Sequence, residues 1–468
     1  MSLSQSFKPV VWRELSRSLA KGWAVLIFIL ILSGLFLPSV FAEEGVVYAI
    51  KNCRIVPVVG GEISSGVIVI RDGLIYAIGA NVPVPPDAEV IEGKGLIAYP
   101  GLIDTHTKLL VKLPEEPTEE RPTQQVPAPP QPSLDKWGLN PELLTMKMLR
   151  PDEDAMQQLR NLGITTVLTV PGKGIMVGQS AVVNLAGGSV ADMVVKSPVA
   201  LHIEFNPAPR EVRAYPSSLM GVVALIRQTF YDVIDYKLRW ERYRQNPRGM
   251  KRPPNDPLLE ALIPVVEGKL PVVFTANNQN DIRRAFLLAQ EFNLKYMVSG
   301  ANEAWKQLEL LKKKPIPLLI TMNFKAPSTA FEAQQGKEEK ERAEKELYPL
   351  NPLKLHRAGL KFAINSYGLD KPVDLMNNIR TAIEKGLPMQ EALRAMTINA
   401  AEFLDIDQQL GSLEKGKIAN IILSEGELFA KDSKVKYVFV DGKKFEVKPP
   451  EKKPAPTGEP ADIAVSRP

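Results

Sequence analysis

Tyr99-Pro-Gly-Leu-Ile-Asp-Thr-His-Thr-Lys108 is the stretch that decides how this chain is interpreted. It begins with a turn at Pro100-Gly101, continues as a short apolar strand, and ends in polar side chains at alternate positions: Asp104, His106 and Lys108. Because residues i and i+2 of a strand share a face, these three side chains are predicted to point together into one pocket.

The same stretch resembles the first barrel strand of the amidohydrolase superfamily, which ends in P-G-x-I-D-x-H-x-H and supplies two imidazoles to a metal. Five residues match that pattern: Pro100, Gly101, Ile103, Asp104 and His106. Lys108 stands where the second histidine is expected. An ammonium group has no lone pair to donate and repels a cation, so this substitution opposes metal binding.

β-Strand patterns occur near both ends of the chain. At 67–78 two apolar runs flank Asp72-Gly73, a dipeptide typical of a hairpin turn. A second β region lies at 418–443. The resemblance implies that such terminal strands join into one small β-sandwich, here composed of residues 46–98 and 402–447.

Two segments near the second β region also resemble the family. Thr397-Ile-Asn-Ala-Ala401 is similar to T-x-N-x-A, and Leu410–Asn420 is similar to G-S-L-E-x-G-K-x-A-D, with Asn420 in place of the usual aspartate. Within the superfamily the chain most resembles the imidazolonepropionase-like group, over nearly all of residues 46–447.

Between the two β regions, strands and helices alternate, which favours a parallel α/β fold. The strand candidates number eight and include 164–170, 181–185 and 199–203. Eight strands with intervening helices suit a (β/α)8 TIM-like barrel, which is predicted over residues 99–401. A long helix is predicted at about 218–245.

Three segments are predicted to lie outside this folded body. Residues 1–42 combine basic residues, an apolar run and small residues before position 43, which indicates a signal peptide and a secreted or periplasmic protein. The alternative is a membrane anchor formed by residues 22–42. The insertion at 114–132 holds seven prolines, too many for a helix or an inner strand, and 449–468 is predicted to be a disordered tail.

Composition argues against a nucleic-acid-binding surface and against sites built from cysteines. The net charge is +5, and removal of residues 1–42, which hold four basic residues and one acidic residue, lowers it to about +2. Such a balance does not favour nucleic acid as a partner. Cys53 is the only cysteine, which excludes an internal disulfide and a thiolate metal site.

The family's other metal-ligand positions are also altered. The resemblance implies histidines on strands five and six and an aspartate on strand eight, which hold zinc or a similar divalent ion. Thr275 and Asn277 stand at the strand-five histidines, Gly300 at the strand-six histidine and Tyr367 at the strand-eight aspartate. The lysine or glutamate of strand four would fall at Ala200.

Only three histidines are present, so the family's four imidazoles cannot be supplied. His106 alone is in a ligand register, and with Lys108 beside it a role as a pocket residue is favoured. His202 lies within a strand and is predicted to have a structural hydrogen-bonding role. His356 precedes strand eight on a helix, where a surface or packing role is predicted. No metal ligand and no cofactor are therefore predicted.

The predicted pocket comprises eight residues: Asp104, His106, Lys108, Thr275, Asn277, Gly300, Ser366 and Tyr367. No residue is assigned a catalytic role, and the candidates for one are His106, Lys108 and Tyr367.

Three interpretations of function remain open. The favoured one is a secreted amidohydrolase-like protein that has lost the metal centre and serves in binding or assembly. The second is a hydrolase of C–N bonds with altered chemistry, in which His106 is the general base and Lys108 or Tyr367 stabilises an oxyanion. That chemistry requires a charged Lys108 and a pKa near neutrality for His106.

The third interpretation is a small-molecule pocket in which neutral groups donate and accept hydrogen bonds. Those groups would be Asn277, Asn278, Ser366 and Tyr367. Expected partners are a second copy or an amidohydrolase-like relative, and a small molecule or a peptide. Neither nucleic acid nor a membrane is expected as a partner, except through an uncleaved amino-terminal segment.

Overall fold

A computed structural model describes residues 46–111, 138–209, 214–325 and 342–447. Three predicted segments lie outside these residues: the signal peptide at 1–42, the proline-rich insertion at 114–132 and the tail at 449–468. Within the described ranges, no helix combines the length and the apolar character needed to cross a membrane.

The described strands belong to three sheets. In chain order they are β1 (Tyr48–Ile55), β2 (Ile63–Arg71), β3 (Leu74–Gly79), β4 (Glu89–Glu92), β5 (Leu96–Pro100), β6 (Leu102–Thr107), β7 (Ile164–Thr169), β8 (Met176–Gln179), β9 (Ala181–Asn184), β10 (Val194–Lys196), β11 (Leu201–Glu204), β12 (Val272–Ala276), β13 (Tyr296–Gly300), β14 (Leu318–Thr321), β15 (Ala363–Asn365), β16 (Ile421–Glu425), β17 (Lys434–Val440) and β18 (Lys443–Glu446).

The helices lie mainly between the strands of the middle region. The α-helices are α1 (Thr145–Met148), α2 (Glu153–Asn161), α3 (Val190–Met193), α4 (Leu219–Gln245), α5 (Pro257–Val266), α6 (Gln279–Glu291), α7 (Leu308–Lys313), α8 (Asn351–Arg357), α9 (Pro372–Glu384), α10 (Met389–Ala395) and α11 (Ile398–Leu404). The long helix predicted at 218–245 is confirmed as α4. Its start is set by Ser218, whose side chain accepts a hydrogen bond from the amide of Gly221.

The first sheet joins strands from both ends of the chain. Its order is β18-β17-β16-β5-β1-β2-β3, with β4 beside β1, and β5 runs antiparallel to β16. The sheet folds back on itself, because the amide of Ile75 donates to the carbonyl of Lys417 and the amide of Ala419 donates to that of Gly73, both at 2.8 Å. The division into domains at 46–98 and 402–447 remains a prediction.

The other two sheets hold the strands of the middle region. One has the order β10-β9-β7-β6 and the other β15-β14-β13-β12-β11-β8. Strands β11 to β15 are parallel to one another, as are β6 and β7. Within the described part of the chain these ladders do not close into one ring. The fold is therefore mixed α/β, and the closed barrel remains a prediction.

The third strand of the expected parallel array runs in the opposite direction, which corrects the prediction for 181–185. β9 is antiparallel to β7, and β8 is antiparallel to β11. Only Ser180 separates β8 from β9, and six residues connect β7 to β8. A connection this short cannot provide the crossover that a parallel neighbour requires.

The interior between these strands changes from apolar to polar along the chain direction. One buried cluster contains Val273, Met297 and Ala363 and packs against α11. Two residues further along each strand, on the same face, stand three buried polar residues: Thr275, Ser299 and Asn365. The polar layer therefore lies at the carboxyl ends of the parallel strands.

The side chain of Asn420 connects the first sheet to β7 and β9 through hydrogen bonds. Its amide nitrogen donates to the hydroxyl of Thr166 and to the side-chain oxygen of Asn184, both at 3.0 Å. Its side-chain oxygen accepts from the amide of Asp441 at 2.9 Å. An aspartate, the usual residue of the family here, could not make the first two bonds because a carboxylate has no donor.

Asn420→Asp is therefore expected to lower the free energy of unfolding by about 3 kcal/mol, since it removes two donated bonds and buries a carboxylate beside an acceptor oxygen. Urea denaturation measures the change. The matched control is Asn280→Asp, at an exposed position in the first turn of α6, which should change stability by less than about 0.5 kcal/mol. Equal midpoints for Asn420→Asp and the unchanged protein would contradict this account.

Candidate functional site

Asp104 and Ser366 connect the ends of β6 and β15. The amide of Ser366 donates to Asp104 at 3.0 Å, its hydroxyl donates to the other carboxylate oxygen, and the amide of His106 donates at 3.2 Å. Burial raises the pKa of the Asp104 carboxyl to about 6, although the three donors favour its ionised form. Asp104 and Ser366, two of the predicted pocket residues, thus lie together, but their polar atoms bond to each other.

His106 lies fully buried in the polar layer. Its Nδ1 is 2.7 Å from the hydroxyl of Ser299, and its Nε2 has no hydrogen-bond partner within the described residues. Its ring centroid is 4.5 Å from that of Tyr367. Burial lowers the pKa of His106 well below its ordinary value, and the nearby His202 and Lys108 act in the same direction. The imidazole is therefore neutral at physiological pH.

Lys108 forms an ion pair with Glu204 at the end of β11. The ammonium nitrogen is 3.2 Å from Oε1 of Glu204, and the side-chain nitrogen of Asn206 donates to the other carboxylate oxygen at 2.7 Å. The same ammonium lies 5.7 Å from the centroid of the Tyr367 ring. The lysine side chain is 42% exposed and the glutamate side chain only 5%. A nearly buried carboxylate thus holds a cation that reaches partly into solvent.

Sequence reasoning missed Glu204. Ala200, where the strand-four position was predicted, lies just before β11 in the apolar cluster with Val273 and Met297, so that prediction is wrong. Glu204 is four residues further on, at the carboxyl end of the strand. The alternation of His202 and Glu204, which repeats that of His106 and Lys108 on β6, was the available signal.

His202 and His356 have different environments. Nε2 of His202 is 2.9 Å from the hydroxyl of Ser180, in agreement with the predicted hydrogen-bonding role, and its ring lies edge-on to His106 at 5.3 Å. Burial lowers the pKa of His202 to about 3. His356 lies on α8, partly exposed and 3.6 Å from Glu391, as the predicted surface role requires.

Thr275, Asn277 and Gly300 lie together on β12 and β13. Thr275 pairs with Ser299 in the ladder, so its side chain belongs to the polar layer that contains His106. A Cβ added to Gly300 would stand 2.0 Å from Oδ1 of Asn277, and the glycine has a φ of +90°. Asn277 therefore takes the space in front of Gly300, where the family's strand-six histidine would begin.

Asn278 is not available as a ligand-binding group. Its side-chain oxygen accepts from the amides of Asn280 and Asp281, and its nitrogen donates to the carboxylate of Asp281. It is the N-cap of α6. The prediction that placed it in a small-molecule pocket is corrected accordingly.

The residues present do not fit the family's divalent metal. Across the described ranges, no group of three His, Cys, Asp or Glu side chains is arranged to hold a metal ion. Glu204, two residues after His202 on β11, is already bound to an ammonium group. A divalent cation at this place would meet the positive charge of Lys108.

A separate surface cavity of about 280 Å³ does not include the polar layer. It is lined by Asn323, Lys325, Leu369, Asp370, Asp374 and Asn378, among others. None of the eight predicted pocket residues contributes to it, so the candidate site is the polar layer at the strand ends.

Comparison with known proteins gives matches to parts of the sequence and to the fold. Residues 325–445, about a quarter of the chain, match the model of the amidohydrolase family. An adenine deaminase of Clostridium botulinum (strain Loch Maree / Type A3) is 41% identical over 64 residues, 14% of this chain and 10% of that protein. A 5-methylthioadenosine/S-adenosylhomocysteine deaminase of Moorella thermoacetica is 34% identical over 79 residues, 16% of this chain and 18% of the relative. The chain thus matches less than a fifth of the length of these relatives.

Solved structures show the fold over most of the chain. An amidohydrolase from Thermotoga maritima MSB8 superposes with a TM-score of 0.72 at 23% identity, over 85% of this chain and 100% of the other. Molinate hydrolase superposes with a TM-score of 0.50 at 16% identity, over 91% and 100%. These likenesses show a shared fold.

The fold and the polar strand ends define an α/β protein built on the plan of the metal-dependent hydrolases. More specifically, the predicted resemblance to the amidohydrolase superfamily is confirmed by the family model over residues 325–445 and by the shared fold. The finer assignment to an imidazolonepropionase-like group remains a prediction.

Gly300→Ala is expected to cost about 2 kcal/mol of unfolding free energy, half from the positive φ and half from displacement of Asn277. In an Asn277→Ala background the same change should cost only about 1 kcal/mol, because the displaced oxygen is gone. Urea denaturation of the four proteins measures the coupling. Equal costs in both backgrounds would show that the two positions do not share this space.

His202 should make the protein less stable in acid. Its pKa in the folded protein, about 3, lies below the ordinary value of 6.5, so the unfolded chain binds the proton first and stability is lost as the pH falls below 6.5. Between pH 7.5 and pH 5.0 the loss from this group is about 2 kcal/mol. His202→Gln should remove that part of the pH dependence, whereas the control His356→Gln should keep it.

Proposed function

We propose that this chain is a secreted amidohydrolase-family protein that lacks the metal centre and acts as a non-catalytic binding or assembly partner. The single observation behind this proposal is the ion pair of Lys108 with Glu204 at 3.2 Å. Both groups stand at strand ends where the family's resemblance places metal ligands. A carboxylate that already neutralises an internal cation has little affinity left for a second one.

The finer fold belongs to the same proposal. We take residues 99–401 as a (β/α)8 barrel beside a β-sandwich made of 46–98 and 402–447. Closure between the first and last strands is supported by the hydroxyl of Thr105, which donates to the carbonyl of Ile364 at 3.0 Å. The bonds between Ser366 and Asp104 span the same gap.

The low pKa of His106 argues against metal-independent hydrolysis with His106 as the general base. A general base works best when its pKa lies near the operating pH, and the pKa of His106 is well below that range. Burial and the charge of Glu204 raise the pKa of the Tyr367 phenol, so Tyr367 stays protonated and cannot replace His106 as the base. The mechanism therefore lacks a general base with the proton affinity that it requires.

A small-molecule pocket is the second candidate function, and one observation favours it. Four buried polar atoms of the strand ends have no hydrogen-bond partner within the described residues: Nε2 of His106, Nδ1 of His202, Oγ1 of Thr275 and Oδ1 of Asn277. Such atoms are costly unless something bonds to them. The two imidazoles are neutral and Lys108 is already paired, so the matching ligand is an uncharged molecule that both donates and accepts hydrogen bonds.

Metal content and turnover test the main proposal. Protein dialysed against zinc and then against buffer is expected to keep less than about 0.1 equivalents of zinc. It is also expected to release no ammonia from adenine or 5-methylthioadenosine, the substrates that the names of the curated relatives suggest. Stoichiometric zinc with turnover that a chelator abolishes would contradict the proposal. Turnover that survives chelation and disappears in His106→Ala would support altered chemistry instead. Saturable calorimetric binding of adenine without turnover would support the small-molecule pocket.

Lys108→Met tests whether the ion pair is part of the fold. The change leaves the Glu204 carboxylate buried without its cation and should cost about 2 kcal/mol, a value reduced because the lysine is partly exposed. Addition of Glu204→Gln should recover most of the loss in urea denaturation. Lys325→Met is the control, because its pair with Asp370 is exposed on both sides and should cost less than about 0.5 kcal/mol. A Lys108→Met protein as stable as the original would refute a structural role.

A further inference from the structure

A cluster of exposed cations lies at the carboxyl end of α4 and in the segment that follows it. We call it the basic surface; it consists of Arg242, Arg244, Arg248, Lys251 and Arg252, all exposed. The segment 242–252 contains no acidic residue. Earlier on the helix, Lys237 pairs with Glu241 and Glu267, and Arg239 pairs with Asp235. Within the described ranges none of the five later cations has a carboxylate within 4.0 Å.

Trp240 contacts one cation of the helix and one cation of the segment that follows it. The guanidinium carbon of Arg244 is 5.5 Å from its ring centroid, and that of Arg252 is 5.7 Å away. Tyr243 meets the same ring edge-on at 6.0 Å. The chain after α4 thus folds back over the helix, so that Arg244 of the helix and Arg252 of the following segment lie beside the same ring.

Two large apolar side chains of the same stretch of chain are exposed. Leu238 is 43% exposed and Met250 is 41% exposed. A face that mixes unpaired cations with exposed aliphatic groups suits the interface of an anionic bilayer, where headgroups attract the charges and the acyl boundary accepts the apolar side chains.

We propose that the basic surface binds the anionic headgroups of a phospholipid membrane. The charge is local: the whole chain carries only +5, so non-specific attraction of the entire protein would be weak. Nucleic acid fits less well, because single strands are held by stacking on open aromatic rings, and here Arg244 and Arg252 already stack on Trp240. Binding at this face does not depend on whether the strand ends are catalytic.

Vesicle co-sedimentation of the full chain tests the proposal. The measured quantity is the ratio of partition coefficients for vesicles with 30% phosphatidylglycerol and vesicles of phosphatidylcholine alone, which cancels any apolar contribution of other segments. The variant Arg242→Gln/Arg248→Gln/Lys251→Gln should lower this ratio about 100-fold, since each cation near such a surface contributes about a factor of five. Met250→Gln should lower phosphatidylglycerol binding roughly tenfold and leave binding to inorganic polyphosphate unchanged.

The matched control is Lys312→Gln/Lys313→Gln/Lys385→Gln, which removes the same charge from exposed positions outside the basic surface. It should keep the ratio within a factor of about three. Equal losses in both triple variants would overturn the proposal, because net charge alone would then explain binding. Absence of any preference for phosphatidylglycerol, or tight binding of a DNA duplex that the first variant abolishes while vesicles stay unbound, would overturn it as well.

Discussion

Polar side chains at the carboxyl ends of the strands have to find their partners inside the protein. A buried polar group without a partner costs about 1–3 kcal/mol, and this interior contains two imidazoles, two carboxylates and an ammonium group. The chain meets part of this requirement in four pairs: Asp104 with Ser366, His106 with Ser299, His202 with Ser180 and Lys108 with Glu204. Within the described residues the second ring nitrogen of each imidazole has no partner. Together these pairs fix how β6, β11, β13 and β15 lie beside one another.

The side chains at the altered family positions pack against one another. Gly300 leaves room that the side chain of Asn277 fills, and the ring of Tyr367 covers His106 while it approaches the ammonium of Lys108. Restoring a single histidine in this interior would therefore meet a neighbour that already takes its space. The site differs from that of a metal hydrolase at several residues that contact one another, so no single replacement accounts for the difference.

Local patterns predicted the parts of the fold that depend on nearby residues. The hairpin at Asp72-Gly73 follows from a dipeptide that accepts positive φ, and both residues have it, at 52° and 76°. The i, i+2 spacing placed His106 and Lys108 on one face, and the ring of Tyr367 lies near both side chains. The helix predicted at about 218–245 was found, and the structure adds that Ser218 caps its start.

Features that depend on distant contacts were not predictable in this way. Glu204 is 96 residues from Lys108, and nothing in the local pattern of either residue specifies the other. The direction of β8 and β9 depends on pairing with β11 and β7 rather than on their own apolar runs. Asn278 was misassigned because an N-cap and a ligand-binding amide have the same local chemistry. The basic surface was obscured because net charge averages over the whole chain.

The pairing of β5 with β16 has a consequence for biosynthesis. Ile422 lies opposite Tyr99 in that ladder, so the central pair of the first sheet joins residues more than 300 positions apart. Contacts of such long range form slowly. Until the last fifth of the chain has emerged from the ribosome, β5 has an open edge able to recruit a foreign strand. Complete synthesis, and any passage through a translocation channel, must precede the closing of this sheet.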